Sequence, residues 1–330
     1  MIISVALCTY NGEKFIKEQI DSILNQTFPV DEIIICDDCS SDSTVTILEE
    51  YKGKKPELFK IHKNETNLRS NKNFEKAISL TTGDYIFLSD QDDIWRNDKV
   101  EKIMNVFSKN EKAQGVFSDA NFIDENSELI HQKISLWESV CFFHDSIKET
   151  SDLRKSLLHT SNFLTGATLC IKKEVKEYSI PFLTIENFIH DEWFAYVLTQ
   201  RNALCFSTEK LISYRLHNNQ QLGVGKIINP KKLLEDNRKI NSIMMGLSET
   251  KKFNESKSKV RFLYYQYEKY FNLHTKYNLL QFKEIYEDLR VKFIESNNEM
   301  KSKFPIFYFF RRLSDKRKGK RQLKNYIDNI

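Results

Sequence analysis

Strand-like and helix-like patterns alternate through the first third of the chain. Ile2–Leu7 is a continuous β-rich run, and Glu13–Gln26 then carries apolar residues at 15, 16, 20, 23 and 24, the spacing of one helix face. Glu32–Cys36 predicts a second strand, followed by the capping-type residues Ser40-Ser41-Asp42-Ser43-Thr44 and a helix through about Tyr51. Leu58–His62 predicts a short strand, Asn71–Leu80 a helix, Tyr85–Ser89 a strand, Asp98–Lys109 a helix and Gly115–Asp119 a further strand. Such alternation predicts an α/β fold, a Rossmann-like and mainly parallel sheet between helices with right-handed crossovers.

Regularity then weakens. From Asn121 to about Ser161 no period holds, which predicts loops and short helices over an acceptor region. A turn containing Gly166 leads into the apolar run Ala167–Ile171; Glu186–Gln200 has helical character, and Ala203–Ser207 and Lys210–Tyr214 predict two strands. From Asn229 onward the pattern is helical, with apolar residues at mixed three- and four-residue spacing through Val260–Ile294. The predicted organisation is an α/β domain over residues 1–225 and a helical C-terminal region over 226–330.

Composition changes this picture in one place. The 330 residues are 40% hydrophobic and 29% charged, as in a globular protein, with a net charge of +4. Ten Lys or Arg face two acids from Lys301 to Ile330, a local +8 that leaves about −4 on the first 300 residues. The basic balance belongs to the tail, so no nucleic-acid partner is expected. No apolar run reaches the length of a membrane span, and Met1–Leu7 lacks the basic start and cleavage site of a signal peptide, which predicts a cytoplasmic protein. Six cysteines in mostly apolar settings fit reduced thiols, and Cys36-Asp37-Asp38-Cys39 has no second pair with which to hold zinc.

Acids gather at predicted strand ends. Thr9-Tyr10-Asn11, Asp37-Asp38 and Asp90-Gln91-Asp92-Asp93 each follow a strand, and in an open α/β sheet these turns share the edge where ligands bind. The carboxylates of Asp90–Asp93 would repel one another unless a cation or hydrogen-bond donors neutralised them, and hard oxygen ligands point to Mn²⁺ or Mg²⁺. An acidic turn capping the helix that begins near Asn97 is the other reading of the same residues.

Thr9-Tyr10-Asn11-Gly12, Cys36-Asp37-Asp38-Cys39-Ser40, Asn67 with Asn73-Phe74, Leu88-Ser89-Asp90-Gln91-Asp92-Asp93-Ile94-Trp95, Thr165-Gly166, His190-Asp191-Glu192-Trp193 and Tyr214-Arg215-Leu216-His217 occur in this order. The series resembles the family 2 glycosyltransferases of GT-A fold, most closely the bacterial rhamnosyltransferase-like branch, over about residues 1–220. The resemblance implies an inverting, metal-dependent enzyme. It would transfer a sugar, rhamnose first, from a dTDP- or UDP-linked donor to a glycan or lipid-linked acceptor in surface polysaccharide synthesis.

Site roles carry over residue by residue. The resemblance makes Asp92 the direct metal ligand, with Asp90 near the ribose or the metal shell, and His217 a further metal or diphosphate ligand; Asp93 either contacts substrate or only orients the turn. Asp38 and Asp37 would accept from a pyrimidine imide N–H, with Thr9, Tyr10, Asn11, Asn67 and Gln91 around the donor. Asp191 would be the catalytic base. Trp95, Gly166, His190, Trp193 and Arg215 would shape the acceptor side or the pocket, Arg215 by pairing with phosphate or by bracing a loop.

Relatives commonly have Gly where Arg69 follows Asn67-Leu68 here. Either the backbone differs at that turn or Arg69 adds a charge near the donor. The C-terminal tail, with Phe304 and Ile306–Phe310 beside Arg311 and Arg312, suits peripheral contact with an anionic membrane face, or else a solvated or partner-docking helix. Two rival functions use similar parts. A sugar nucleotidyltransferase would need a Gly-rich basic loop after the first strand, which Thr9–Glu13 does not supply, and a non-catalytic binder would need no base.

Overall fold

The computed structural model describes residues 1–183, 188–218, 220, 227 and 229–317. The chain forms two compact units, one of residues 1–154 and 162–235, the other of residues 155–161 and 236–330.

The first unit is built on a nine-stranded sheet. It opens with β1 (Ile3–Thr9), α1 (Ile16–Leu24), β2 (Glu32–Asp37), α2 (Thr44–Lys54), β3 (Phe59–Lys63), α3 (Arg69–Leu80) and β4 (Tyr85–Ser89). Strands β3, β2, β1 and β4 lie side by side in that order and all run parallel. Every residue of β1 and β2 is buried, as expected of strands covered on both faces, and their continuous apolar runs carry that signal.

Beyond β4 the sheet is mixed. The chain continues through β5 (Ile94–Trp95), α4 (Lys99–Lys109), β6 (Gly115–Ile123), β7 (Leu129–Ile130), α5 (Leu136–Ser139), α6 (Thr150–His159), β8 (Cys170–Lys172), α7 (Val175–Ser179), α8 (His190–Gln200) and β9 (Leu204–Arg215). Short β8 runs antiparallel to both β4 and β6, so β6 points the same way as β4, and β9 pairs parallel with β6. Arg215, at the end of β9, therefore emerges at the same edge as the ends of β1, β2 and β4. The mainly parallel reading holds for β3, β2, β1 and β4, and β8, β5 and β7 run against that direction in the second half.

Three boundaries differ from the sequence reading. The two strands expected at 203–207 and 210–214 are one strand, β9, whose register against β6 slips between Ser207 and Lys210. Thr208-Glu209, which reads as a break, is a β-bulge within it. Strand β6 runs on to Ile123, past the expected end at Asp119, while residues 150–159 form one of the short helices expected in that stretch. Helix α8 begins at His190, while Glu186 and Asn187 lie outside the described residues.

The second unit is helical, with the end of α6, α9 (Pro230–Met244) from Asp236 on, α10 (Phe253–Tyr277), α11 (Lys283–Lys303) and α12 (Pro305–Arg317). Helices α10 and α11 form an antiparallel hairpin: Tyr264 meets Phe293 at 5.7 Å, Tyr270 meets Phe282 at 5.5 Å, and Lys259 pairs with Glu299 at 3.4 Å. The left-handed Asn278, at φ +53°, ends α10 and turns the chain. Among the described residues no helix is long and apolar enough to cross a membrane.

Candidate active site

The turns after β1 and β2 are fastened by carboxylates well supplied with donors. Asp37 is buried; its Oδ1 accepts from the Ser40 N–H at 2.9 Å, and its Oδ2 accepts from the hydroxyls of Thr9 at 2.8 Å and Ser40 at 2.6 Å. Asp38 accepts at Oδ1 from the Leu68 N–H at 2.6 Å and the Asn64 amide at 2.8 Å, and at Oδ2 from the Arg69 N–H at 2.8 Å. One lone pair on Asp38 Oδ2 is left to accept from a ligand. Asn67 holds the same turn, donating to the Asp38 carbonyl at 3.2 Å and accepting from the Arg69 N–H at 3.1 Å.

Arg69 keeps the left-handed backbone that Gly would take, with φ of +63°. Capture of its N–H by Asp38 and Asn67 offsets the steric cost, roughly 1 kcal/mol for a residue with a Cβ. Its side chain is exposed and is not among the residues that line the cavity at the strand ends.

A cavity of about 590 Å³ opens at the strand ends. Thr9, Tyr10, Asn11, Asp38, Asp90, Gln91, Asp92, His190, Asp191 and His217 all line it. Asp37, Asn67, Arg69, Trp95, Gly166, Trp193 and Arg215 are not among its lining residues. Trp95 is buried against Phe87 and Lys99. Trp193 is also buried, its indole N–H donating to the Ser179 carbonyl at 2.7 Å, and it anchors α8.

The turn after β4 has a different character. Gln91 clamps Tyr10, accepting from its N–H at 2.8 Å and donating to its carbonyl at 3.0 Å. Gly12 leaves room for that clamp, since a Cβ there would stand 2.3 Å from Gln91 Oε1. Asp92 Oδ2 lies 2.9 Å from His217 Nε2, whose ring packs on Phe15 at 4.9 Å. Burial, then the charges of Asp92 and Asp191, push the Asp90 carboxyl up to about 7.

Asp93 turns inward. Its Oδ1 accepts from the Arg215 N–H at 3.0 Å, and burial raises its carboxyl well above the usual range. It neither faces the cavity nor caps α4. Nearby, burial lowers Lys99 to about 7; its ammonium donates to the Ala167 carbonyl at 2.9 Å and sits 3.7 Å over the Trp95 ring. Arg215, fully buried, braces the whole corner: it donates to the Asp92 carbonyl at 2.6 Å, the Asp124 carbonyl at 3.0 Å and Glu18 Oε2 at 2.6 Å. Of its two open roles the structure selects bracing.

On another wall of the cavity stand His190 and Asp191, at the start of α8, with His190 Nε2 2.7 Å from Asp191 Oδ1. The imidazole lies between Phe74 at 4.3 Å and Phe182 at 6.1 Å. Asn71 Oδ1 faces its Nδ1 at 3.3 Å and accepts from the His190 N–H at 2.8 Å, while Asn71 Nδ2 donates to the Phe188 carbonyl at 3.0 Å. Both ring nitrogens thus face oxygen acceptors, an environment that suits the doubly protonated ring. Burial opposes that charge, but Asp191 and Asp90 outweigh it and raise the His190 pKa. Gly166 packs against the pair; a Cβ there would lie 2.5 Å from Asp191 Oδ1 and 2.9 Å from His190 Nε2.

Among the described residues no three His, Cys, Asp or Glu side chains form a group able to hold an ion unaided, so Asp90, Asp92 and His217 are not a closed three-ligand cage. The donor set nonetheless fits Mg²⁺ or Mn²⁺. Such ions are commonly held by one or two carboxylates, with substrate phosphate and water completing the shell. An acidic turn whose Asp90 is driven towards neutrality is a place where a cation would be stabilised. Lys14, the one Lys or Arg among the described lining residues, also faces the cavity and pairs with Glu125. It escaped the sequence reading as a site residue, as did Asn71 and Phe182, because isolated residues in helix and loop carry no periodic signal, and Phe74 entered only as part of the Asn73-Phe74 motif with no role of its own.

The model of glycosyl transferase family 2 matches residues 4–177. The chain belongs to glycosyl transferase family 2. An uncharacterized glycosyltransferase of Haemophilus influenzae is 30% identical over 233 residues, covering 68% of each chain. The protein named dTDP-rhamnosyl transferase RfbG in Shigella flexneri is 30% identical over 232 residues, 66% of this chain and 73% of its own. The structure of S. aureus TarS residues 1–349 in complex with UDP-GlcNAc superposes with a TM-score of 0.54 at 18% identity, covering 90% of this chain and 81% of that one. The fold is GT-A, and the family 2 chain is an enzyme, a glycosyltransferase.

Proposed function

We propose that this glycosyltransferase inverts the anomeric centre of its donor, requires Mn²⁺ or Mg²⁺, and transfers rhamnose or another hexose from a dTDP- or UDP-linked donor. The acceptor in this reading is a glycan or lipid-linked sugar of bacterial surface polysaccharide synthesis. Catalysis belongs to the domain at residues 1–225, and 226–330 forms a helical C-terminal region. The similarity to a protein named as a dTDP-rhamnosyl transferase supports the donor. One observation carries the chemistry: Asp191 and the Asp92–His217 pair line the same cavity at the carboxyl ends of the strands.

Asp92 and His217 would hold the diphosphate side of the donor, with Asp90 beside them and the remaining lone pair of Asp38 Oδ2 accepting from the base. A bound divalent ion would supply Lewis-acid stabilisation of the departing diphosphate. Asp191 takes the proton of the acceptor hydroxyl as that oxygen attacks the anomeric carbon from the face opposite the diphosphate. A single displacement of this kind inverts the centre. His190 keeps one oxygen of Asp191 fixed, which aims the other at the acceptor.

Asp191→Asn tests the assignment. Transfer should fall by about 10³-fold, within the range for loss of a general base, with unchanged donor binding by thermal shift. Turnover retained by this variant would remove Asp191 as the base. An NMR assignment of the product anomer checks inversion directly.

A further inference from the structure

We propose that the outer face of α12 docks on an anionic lipid bilayer. Ile306 is 70% exposed, Phe307 60%, Phe309 59% and Phe310 63%. At 3.6 residues per turn these four positions sweep roughly 160° of the helix, an arc suited to a flat interface rather than a narrow groove. Tyr308 points the other way; it is 8% exposed, and its hydroxyl accepts from the Asn297 amide of α11 at 3.1 Å. The inner face is therefore satisfied, and Phe307 is held in place by stacking on Phe253 at 5.4 Å.

Charge selects the occupant. From Arg311 to Ile330 the sequence has eight Lys or Arg against two Asp, whereas the first 300 residues carry about −4. A basic sequence that follows directly on exposed aromatic residues matches the chemistry of a lipid surface, which combines acidic headgroups with acyl chains. An acidic protein would match only the charge. This inference is independent of the sugar-transfer reading, because binding to lipid is measured without donor or acceptor.

The test is sedimentation of the full chain with phosphatidylcholine vesicles, with and without about 30% phosphatidylglycerol, which supplies the anionic surface. Binding to the anionic vesicles should be at least about tenfold stronger and should weaken as salt is raised. Phe309→Ser with Phe310→Ser, both outward-facing, should lower it about tenfold, with the far-UV circular dichroism of the parent. Arg312→Gln with Arg317→Gln and Lys318→Gln should weaken binding and flatten its salt dependence. Equal binding to both vesicle types, or an unaffected Phe pair, overturns the proposal. A chain that stays in solution with both vesicles also overturns it and turns this face towards a protein partner.

Discussion

Two acidic turns follow the parallel strands β2 and β4, which flank β1, and they are opposites. Asp37-Asp38 after β2 is well supplied: three donors meet Asp37 and three meet Asp38. Asp90–Asp93 after β4 is starved. Among the described residues the Asp92 carboxylate meets His217 alone, Asp93 uses one oxygen, and Asp90 is pushed up to about 7 by burial and its acidic neighbours. A carboxylate supplied with N–H groups fixes a loop, whereas one deprived of them stores electrostatic strain that a cation can relieve. The first turn is scaffold that leaves one lone pair for a ligand, and the second is where charge is expected to arrive.

Substitutions can break or sharpen that contrast, and the largest effect is expected at the starved turn. Asp92→Ala should lower kcat/KM with Mn²⁺ by about 10²–10³-fold, the scale of losing one transition-state charge stabiliser, with little change in Tm. Steady-state transfer assays read this; equal loss of activity and stability would erase the distinction. Asp38→Ala leaves three donors without their acceptor, and should cost about 3 kcal/mol and roughly 10 °C in Tm by calorimetry.

Asp90→Asn should do the reverse for the metal-free protein, raising its stability by about 1 kcal/mol at pH 8 while weakening Mn²⁺-dependent donor binding. The sign follows from the raised folded pKa. The unfolded carboxyl ionises near 3.8, so its proton stabilises the fold fully below that value, and the contribution is lost as pH rises through about 7. The advantage of the Asn variant should therefore shrink as pH falls from 8 towards 5, which a Tm series measures. Smallest is Arg69→Gly, which relieves the left-handed backbone and should gain about 0.5 kcal/mol, with donor affinity unchanged in titration.

The sequence carries the first half of the sheet clearly because β1, β2 and β4 are buried on both faces and their helices show one apolar stripe. It carries the second half poorly. Three-residue β8 has too few positions for a period, and the bulge in β9 looks like a loop when read along the chain. For the site, strand-end position picks out Asp38, Asp90, Asp92 and their turns, but not which carboxylates are satisfied. That depends on amides of Leu68 and Arg69 thirty residues away. Trp95, Trp193 and Arg215 share short motifs with lining residues yet point inward, since neighbours along a strand or helix face opposite sides.

Arg215 has a consequence beyond bracing. One guanidinium reaches the carbonyls of Asp92 and Asp124, the hydroxyl of Ser127 and the carboxylate of Glu18, while its own backbone N–H is held by Asp93. Segments scattered over two hundred positions of chain thus open together or not at all. The acidic turn is thereby enrolled in a cooperative unit with the end of β9, and amide exchange at the two should share one opening free energy. The part of the cavity asked to receive the most charge is the part least able to fray.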